Sequence, residues 1–201
     1  IFLLLAGGMP LFDACIHSFG SAGTGGFSNR NLSVGAYGNA YYELVIGVFM
    51  LLFGINFNLY YFLMIRRFRD VFHSEELRAY LGIVAAAVLA IAVDVAHLYD
   101  SFAVSLRHAF FQVSSIITTT GFATVDFNTW PTFSKGILMV LMFVGACAGS
   151  TGGGIKVARM LILGKTALSD MRKMLHPTAV SAVRFEGKPL ADQTVRSVHV
   201  F

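Results

Sequence analysis

The sequence is short of charge. Asp, Glu, Lys and Arg supply 13% of its 201 residues, where an ordinary soluble domain carries about a quarter. So thin a charged surface argues against a freely soluble domain, and 56% hydrophobic residues point to lipid. Cysteine is scarce as well. Cys15 and Cys147 both lie in apolar surroundings, and two such thiols suggest no disulfide framework. The opening IFLLLAGG has no starting Met and no basic region, so it reads as the tail of an earlier helix and not as a signal peptide. The chain stops at Val200-Phe201 as a new segment begins, and the expectation is an internal piece of a longer membrane protein. What is plentiful agrees: glycine, here twenty residues, is commoner in transmembrane helices than in soluble ones.

At about 1.5 Å per helical residue, a hydrocarbon core of roughly 30 Å needs around 20 apolar residues. Ala40 to Ile65 and Ala79 to Tyr99 are long enough for spanning helices. Between them lies RRFRDVFHSEELR, with Arg66, Arg67, Arg69 and Arg78, which the positive-inside rule makes cytoplasmic. The opposite-side segments hold only Arg30, Arg107 and Lys135, and the region after Arg159 is basic again through Lys165, Arg172, Lys173, Arg184 and Lys188. Two further apolar segments, Pro10 to Ala22 and Leu106 to Thr118, are half-length and then break into Gly/Thr-rich sequence. Short segments of that kind suit re-entrant half-helices.

The two half-length segments form a repeat. An offset of 95 residues lays Ala14 on Ala109, Thr24 on Thr119, Gly26 on Gly121, Phe27 on Phe122 and Gly54 on Gly149. Each copy reads half-helix, Thr-x-Gly-Phe, polar loop, long apolar helix. Units of helix, re-entrant half-helix and helix share one orientation and can stand around an axis along the membrane normal. Re-entrant backbone is tolerated only where it is buried in protein or lines water, so several such loops on one axis would make a pore. The expected fold is therefore an all-α membrane protein of repeated helix–pore-helix–helix units with re-entrant filter loops around a central pore.

Extended backbone leaving a half-helix can aim carbonyls at that axis and replace a cation's hydration shell. The helix C-terminus favours a cation, glycine permits positive φ, and a threonine hydroxyl adds oxygen without a carboxylate's desolvation cost. The candidate filter runs are Thr24, Gly25, Gly26, Phe27 and Ser28, and Thr119, Thr120, Gly121, Phe122 and Ala123. The plain alternative has Thr118 to Thr120 bonding back to their own helix carbonyls.

The helix begun at Ile137 is expected to fail. Gly149, Gly152, Gly153 and Gly154 fall within six residues, at about 1 kcal/mol each against alanine in a helix interior. The break suggests a flexible loop made of Gly145, Ala146, Cys147, Ala148, Gly149, Ser150, Thr151, Gly152, Gly153 and Gly154, followed by Lys156. Close helix packing through Gly145, Gly149 and Gly153 is the rival, but it needs an intact helix. A phosphate-binding loop is rejected because GSTGGGIK lacks the Gly-Lys-Ser/Thr run and follows no strand.

TGGFS (Thr24 to Ser28), FGINFNLYY (Phe53 to Tyr61), TTTGF (Thr118 to Phe122) and GACAGSTGGGIKVAR (Gly145 to Arg159) together resemble the membrane subunit of the Trk/Ktr potassium-uptake family, TrkH type, over nearly the whole chain. The resemblance implies four pore repeats around one cation pathway, with the first and fourth filter segments outside this sequence. On that pattern, residues 1–65 hold part of the second repeat and 66–78 a cytoplasmic linker. Residues 79–165 form the third repeat, and 166–201 a linker with the start of the fourth. It further implies potassium as the transported ion, no covalent cofactor and no enzymatic activity. Gly26 and Gly121 favour potassium, since serine at a filter position of some relatives goes with sodium. The loop from Gly145 to Gly154 would be the gate. Homodimers, a cytosolic nucleotide- and NAD-binding ring subunit, and an inner-membrane location in the bilayer also follow from the resemblance, and no nucleic-acid partner is expected. The alternatives are a sodium-selective or sodium/proton-coupled transporter of the same fold and, more remotely, an intramembrane enzyme using buried His and Asp.

Other polar residues carry smaller expectations. Asn56 and Asn58 would need partners in a spanning helix. Asp94 and His97 suit an interfacial polar contact better than a metal pair. Asp13, His17 and His108 suit half-helix packing or an outer vestibule, and Asp126 a solvated loop. Lys156 and Arg159 are either gate cations or positive-inside anchors.

Overall fold

The computed structural model describes residues 1–175, 184–190 and Ser197. The chain is helical: α1 Phe2–Ala6, α2 Leu11–Ala22, α3 Ala40–Phe53, α4 Phe57–Met64, α5 Phe68–His73, α6 Glu75–Asp94, α7 Phe102–Ile117, α8 Thr132–Val144 and α9 Val157–Leu175. Arg184–Phe185 (β1) pairs antiparallel with Lys188–Pro189 (β2). Most of the expected linker and fourth-repeat start beyond Leu175 lies outside the described residues.

Helix α6 is the one described helix that alone is long and apolar enough to cross a membrane. It starts four residues before the expected Ala79, because the Ser74 side chain accepts the Leu77 N–H and caps it. Its buried face runs Tyr80, Val84, Ala87, Val88, Ile91 and Ala92, the spacing of one helical stripe. That stripe packs with Ala109, Val113 and Ile117 of α7 and with Leu138, Leu141 and Val144 of α8. A second cluster joins Leu4, Met9, Ala14, Tyr42, Ile46 and Met50 from α1 to α3, and it includes Phe111 and Phe122 of the following unit. Outward-facing Leu44, Val48, Phe49 and Leu52 on α3, with Phe133, Met139, Val140 and Phe143 on α8, leave apolar surface suited to lipid.

The segment from Ala40 to Ile65 is not one straight span. It is two helices bent by 91° at the break after Phe53. A β carbon on Gly54 would come within 2.5 Å of the Tyr80 hydroxyl and 2.9 Å of Thr118 Cγ2, so the chain turns where only glycine fits. Asn56 then restarts the helix by accepting the Asn58 N–H at 3.0 Å. It acts as an N-cap, and its side chain also bonds the buried Glu76 of α6, so the expected interhelical partner is present although the span is bent.

Candidate functional site

Helices α2 and α7 end in the same cap. After α2, the Thr24 N–H donates to Ser21 O (3.3 Å) and the Gly25 N–H to Gly20 O (2.9 Å). After α7, the Thr119 N–H donates to Ile116 O (3.0 Å) and the Thr120 N–H to Ser115 O (2.9 Å). These are the paired bonds of a Schellman cap, whose residue just past the end takes left-handed backbone. Here that residue is a threonine twice, with Thr24 at φ +48° and Thr119 at φ +58°; Gly26 at +65° and Gly121 at +87° follow. The offset of 95 therefore holds bond for bond.

The Gly26 N–H also turns back to Gly20 O (3.4 Å), and the Gly121 N–H to Ser115 O (3.3 Å). In a trans peptide the N–H and the preceding carbonyl point in opposite directions. The carbonyls of Thr24, Gly25, Thr119 and Thr120 consequently face away from their own half-helices. The two segments run backbone to backbone: a β carbon on Gly26 would lie 1.9 Å from Thr120 O, whereas one on Gly121 would meet nothing within 4 Å.

The two phenylalanines differ. Phe122 is fully buried, its ring 5.5 Å from that of His17, and its carbonyl accepts the Ser115 hydroxyl at 2.6 Å. Phe27 is 79% exposed. The buried His17 places Nδ1 2.7 Å from Asp13 O, an atom that can only accept, so Nδ1 carries the proton and Nε2 is left for the Ser28 hydroxyl at 3.1 Å. Ser28, at the end of the first segment, is pinned in this way.

Between α8 and α9 the chain makes a pinched loop. Helix α8 stops at Val144, so Gly145, Gly149 and Gly153 share no helical face and the helix-packing reading does not apply. Gly145, Gly149 and Gly154 have φ of +69°, +67° and +82°. The base closes on itself, the Ile155 and Lys156 N–H groups donating to Phe143 O (3.0 Å) and Val144 O (3.1 Å). A β carbon on Gly145 would sit 2.3 Å from Gly153 O, a contact that admits only glycine.

The loop sits against both caps and against the α3–α4 break. The Thr24 hydroxyl reaches Thr151 O at 3.0 Å, and Thr119 Oγ1 accepts the Gly153 N–H at 2.7 Å. The Cys147 N–H donates to Gly54 O (3.0 Å) and the Phe57 N–H to Gly149 O (3.1 Å). The 4%-exposed Glu76 accepts the Ala148 N–H at 2.5 Å. The Lys156 ammonium folds back onto Gly152 O, within the loop itself.

The remaining sequence candidates are structural. Asp13, in the first turn of half-helix α2, bonds Asn29, Arg30 and Tyr37 at 2.6, 3.0 and 2.6 Å. The Tyr37 hydroxyl foremost, with Asn29 and Arg30 adding and burial opposing, holds its carboxyl down at about 2. Asp94 accepts from Ser134 at 2.6 Å, and Asp126 caps the turn at Phe127–Thr129. His108 lies 3.6 Å from Glu43, which pairs with Arg107 at 3.0 Å. Among the described residues no His, Cys, Asp and Glu group could hold a metal. Sequence reasoning passed over Glu43 and Glu76. For Glu43 the available signal was a carboxylate inside an otherwise apolar helix, since such groups in membrane segments are rare unless paired; Glu76 sits beside Glu75 in the charged stretch that opens α6 and gave no such signal.

The chain spans about two-fifths of the length of the curated relatives it matches. It is 36% identical over 197 residues to the Trk system potassium uptake protein TrkH of Salmonella typhimurium, covering 96% of this chain and 41% of that protein. It is 39% identical over 197 residues to the Trk system potassium uptake protein TrkG of Escherichia coli, covering 96% and 40%. The crystal structure of the potassium transporter TrkH from Vibrio parahaemolyticus superposes with a TM-score of 0.91 at 33% identity, over 99% of this chain and 44% of that one. The family model described as "TrkH: Cation transport protein" matches residues 5–201: this chain is a member of the TrkH family of cation transport proteins, which are not enzymes.

Proposed function

We propose that this chain supplies two selectivity-filter segments and the gate of a membrane protein that takes up potassium. The observation that carries the reading is the doubled cap, which turns the carbonyls of Thr24, Gly25, Thr119 and Thr120 away from their half-helices in two backbone-matched segments. Carbonyl oxygens so arranged can stand in for a cation's water shell, and the C-terminal ends of α2 and α7 add partial negative charge. The potassium ion is cargo. Glycine at both Gly26 and Gly121 favours potassium over sodium, in line with the potassium-uptake names of the relatives.

The gate in this reading is the loop from Gly145 to Gly154, with Lys156 as its internal cation. Its glycine-only turns and its contacts with both caps support the assignment. Residues 1–65 and 79–165 act as successive repeats joined by the linker 66–78, with α5 inside it. Phe122 packs against the preceding half-helix at His17 and Gly20, so an equivalent place for Phe27 would be the half-helix of a further repeat. The working protein then has four repeats, sits in the inner membrane, pairs as a homodimer and is regulated by a cytosolic nucleotide-binding ring.

The test is rubidium-86 uptake by the full-length protein in a bacterium deficient in potassium uptake. Uptake blocked by excess potassium and untouched by excess sodium is expected. Equal competition by sodium would overturn the potassium assignment.

A further inference from the structure

The residue just past a Schellman-capped helix is ordinarily glycine, because left-handed backbone crowds a Cβ. A β-branched residue there is a genuine outlier. This chain nevertheless places threonine in that position twice, at Thr24 and at Thr119. Strained backbone persists where the surrounding structure determines it, and it clusters at functional sites. A hydroxyl is what glycine could not provide.

Both hydroxyls are spent on the loop between α8 and α9. The Thr24 hydrogen is shared between Gly23 O (2.8 Å) and Thr151 O (3.0 Å). Thr119 donates to Thr118 O (2.7 Å) and accepts the Gly153 N–H (2.7 Å). The loop is gripped on a carbonyl by one segment and on an N–H two residues later by the other. A β carbon on Gly153 would lie 3.0 Å from Thr119 Oγ1, and one on Gly152 would lie 3.1 Å from Thr118 O, so the loop lies directly on the second cap.

We propose that Thr24 and Thr119 are positioning residues that latch the Gly145–Gly154 loop to the two filter segments, so that the loop withdraws only when both hydroxyls let go. This rests on the gate reading above. It assigns these side chains to the loop and leaves ion contact to the main-chain carbonyls. The latch also joins the two repeats, since one hydroxyl comes from each.

The decisive variants are Thr24→Gly and Thr119→Gly in the full-length protein, each compared with Thr→Ser at the same site. Glycine suits the left-handed position, so these variants fold at least as well as the parent while lacking the hydroxyl. Loop release is read at the buried Cys147. Its modification by a membrane-permeant maleimide is followed by mass spectrometry of its peptide, beside rubidium-86 uptake. Each glycine variant is expected to raise Cys147 modification and basal uptake roughly five-fold, the worth of one ordinary hydrogen bond. The double variant should approach the product of the two factors. Serine variants should behave as the parent, and rubidium should still be preferred over sodium in all of them. Glycine variants with parental Cys147 modification would overturn the latch, whatever their uptake. Lost selectivity with unchanged modification would assign the hydroxyls to the ion instead. If Gly121→Ser leaves ion competition unaltered, the filter reading fails separately, and the latch is still judged on Cys147 alone.

Discussion

Gly26 and Gly121 share a backbone sign but not a setting, and that separates two substitutions a repeat alignment would equate. Serine at Gly26 drives its β carbon to 1.9 Å from Thr120 O and should prevent the two segments from packing. Serine at Gly121 meets nothing within 4 Å and bears only left-handed strain, about 1–2 kcal/mol. Gly121→Ser should therefore accumulate as folded protein and Gly26→Ser should not, as read by size-exclusion profiles of the solubilised full-length protein. Arg107→Ala leaves the buried Glu43 carboxylate without its cation, a loss of about 3 kcal/mol or more. A drop in melting temperature for Arg107→Ala, with near-parental melting for the Glu43→Gln, Arg107→Ala pair, is the expected pattern. At Asp13 the carboxyl is held at about 2, below its ordinary value of 3.8. A depressed carboxylate stabilises the fold above its unfolded-state value and ceases to do so as pH falls through the folded one. The melting difference between the parent and Asp13→Asn should then persist at neutral pH and fade between about pH 4 and pH 2.

At the scale of elements, breaks differ in how clearly the sequence announces them. The interruption between α8 and α9 is legible, because four glycines within six residues outweigh any helical preference there. The bend between α3 and α4 is not. A lone Gly54 sits inside a long apolar run, and what keeps that position glycine is the Tyr80 hydroxyl arriving from α6. Likewise Glu76 looks like linker charge until the loop delivers the Ala148 N–H to it. The half-helix ends are readable from the repeated Thr-x-Gly-Phe, but threonine disfavours left-handed backbone, so the Schellman cap is hidden in exactly those letters. Two changes probe the loop as an element. Removing Gly152 and Gly153 deletes the Gly153 N–H that Thr119 accepts, and basal rubidium flux should rise several-fold; a tight, inactive protein would favour a packing role. Glu76→Gln weakens a charge-assisted bond to the Ala148 N–H and should raise flux by a smaller factor.

At the scale of the whole molecule, the two larger apolar clusters centre on the two stretches expected to be repeats, and they are not independent. Phe111 of α7 and Phe122 just after it are buried in the cluster built by α1 to α3, and the α8–α9 loop touches both caps. The two capped segments and the loop thereby form one contiguous assembly, and on the proposed reading the loop lies against the segments it would have to uncover. The membrane class and the repeat were readable from composition, hydropathy and the 95-residue offset, and the family resemblance from the motifs at Thr24–Ser28, Phe53–Tyr61, Thr118–Phe122 and Gly145–Arg159. The meeting of the candidate filter segments with the loop was not, because it depends on contacts between residues as far apart as Thr24 and Thr151. The central claim is that glycine-permitted main-chain carbonyls choose the ion. The most direct measurement is rubidium-86 uptake by the full-length protein and its Gly121→Ser variant, each with rising sodium as competitor. The account predicts that sodium leaves the parent untouched and inhibits the variant; identical sodium curves for the two would contradict it.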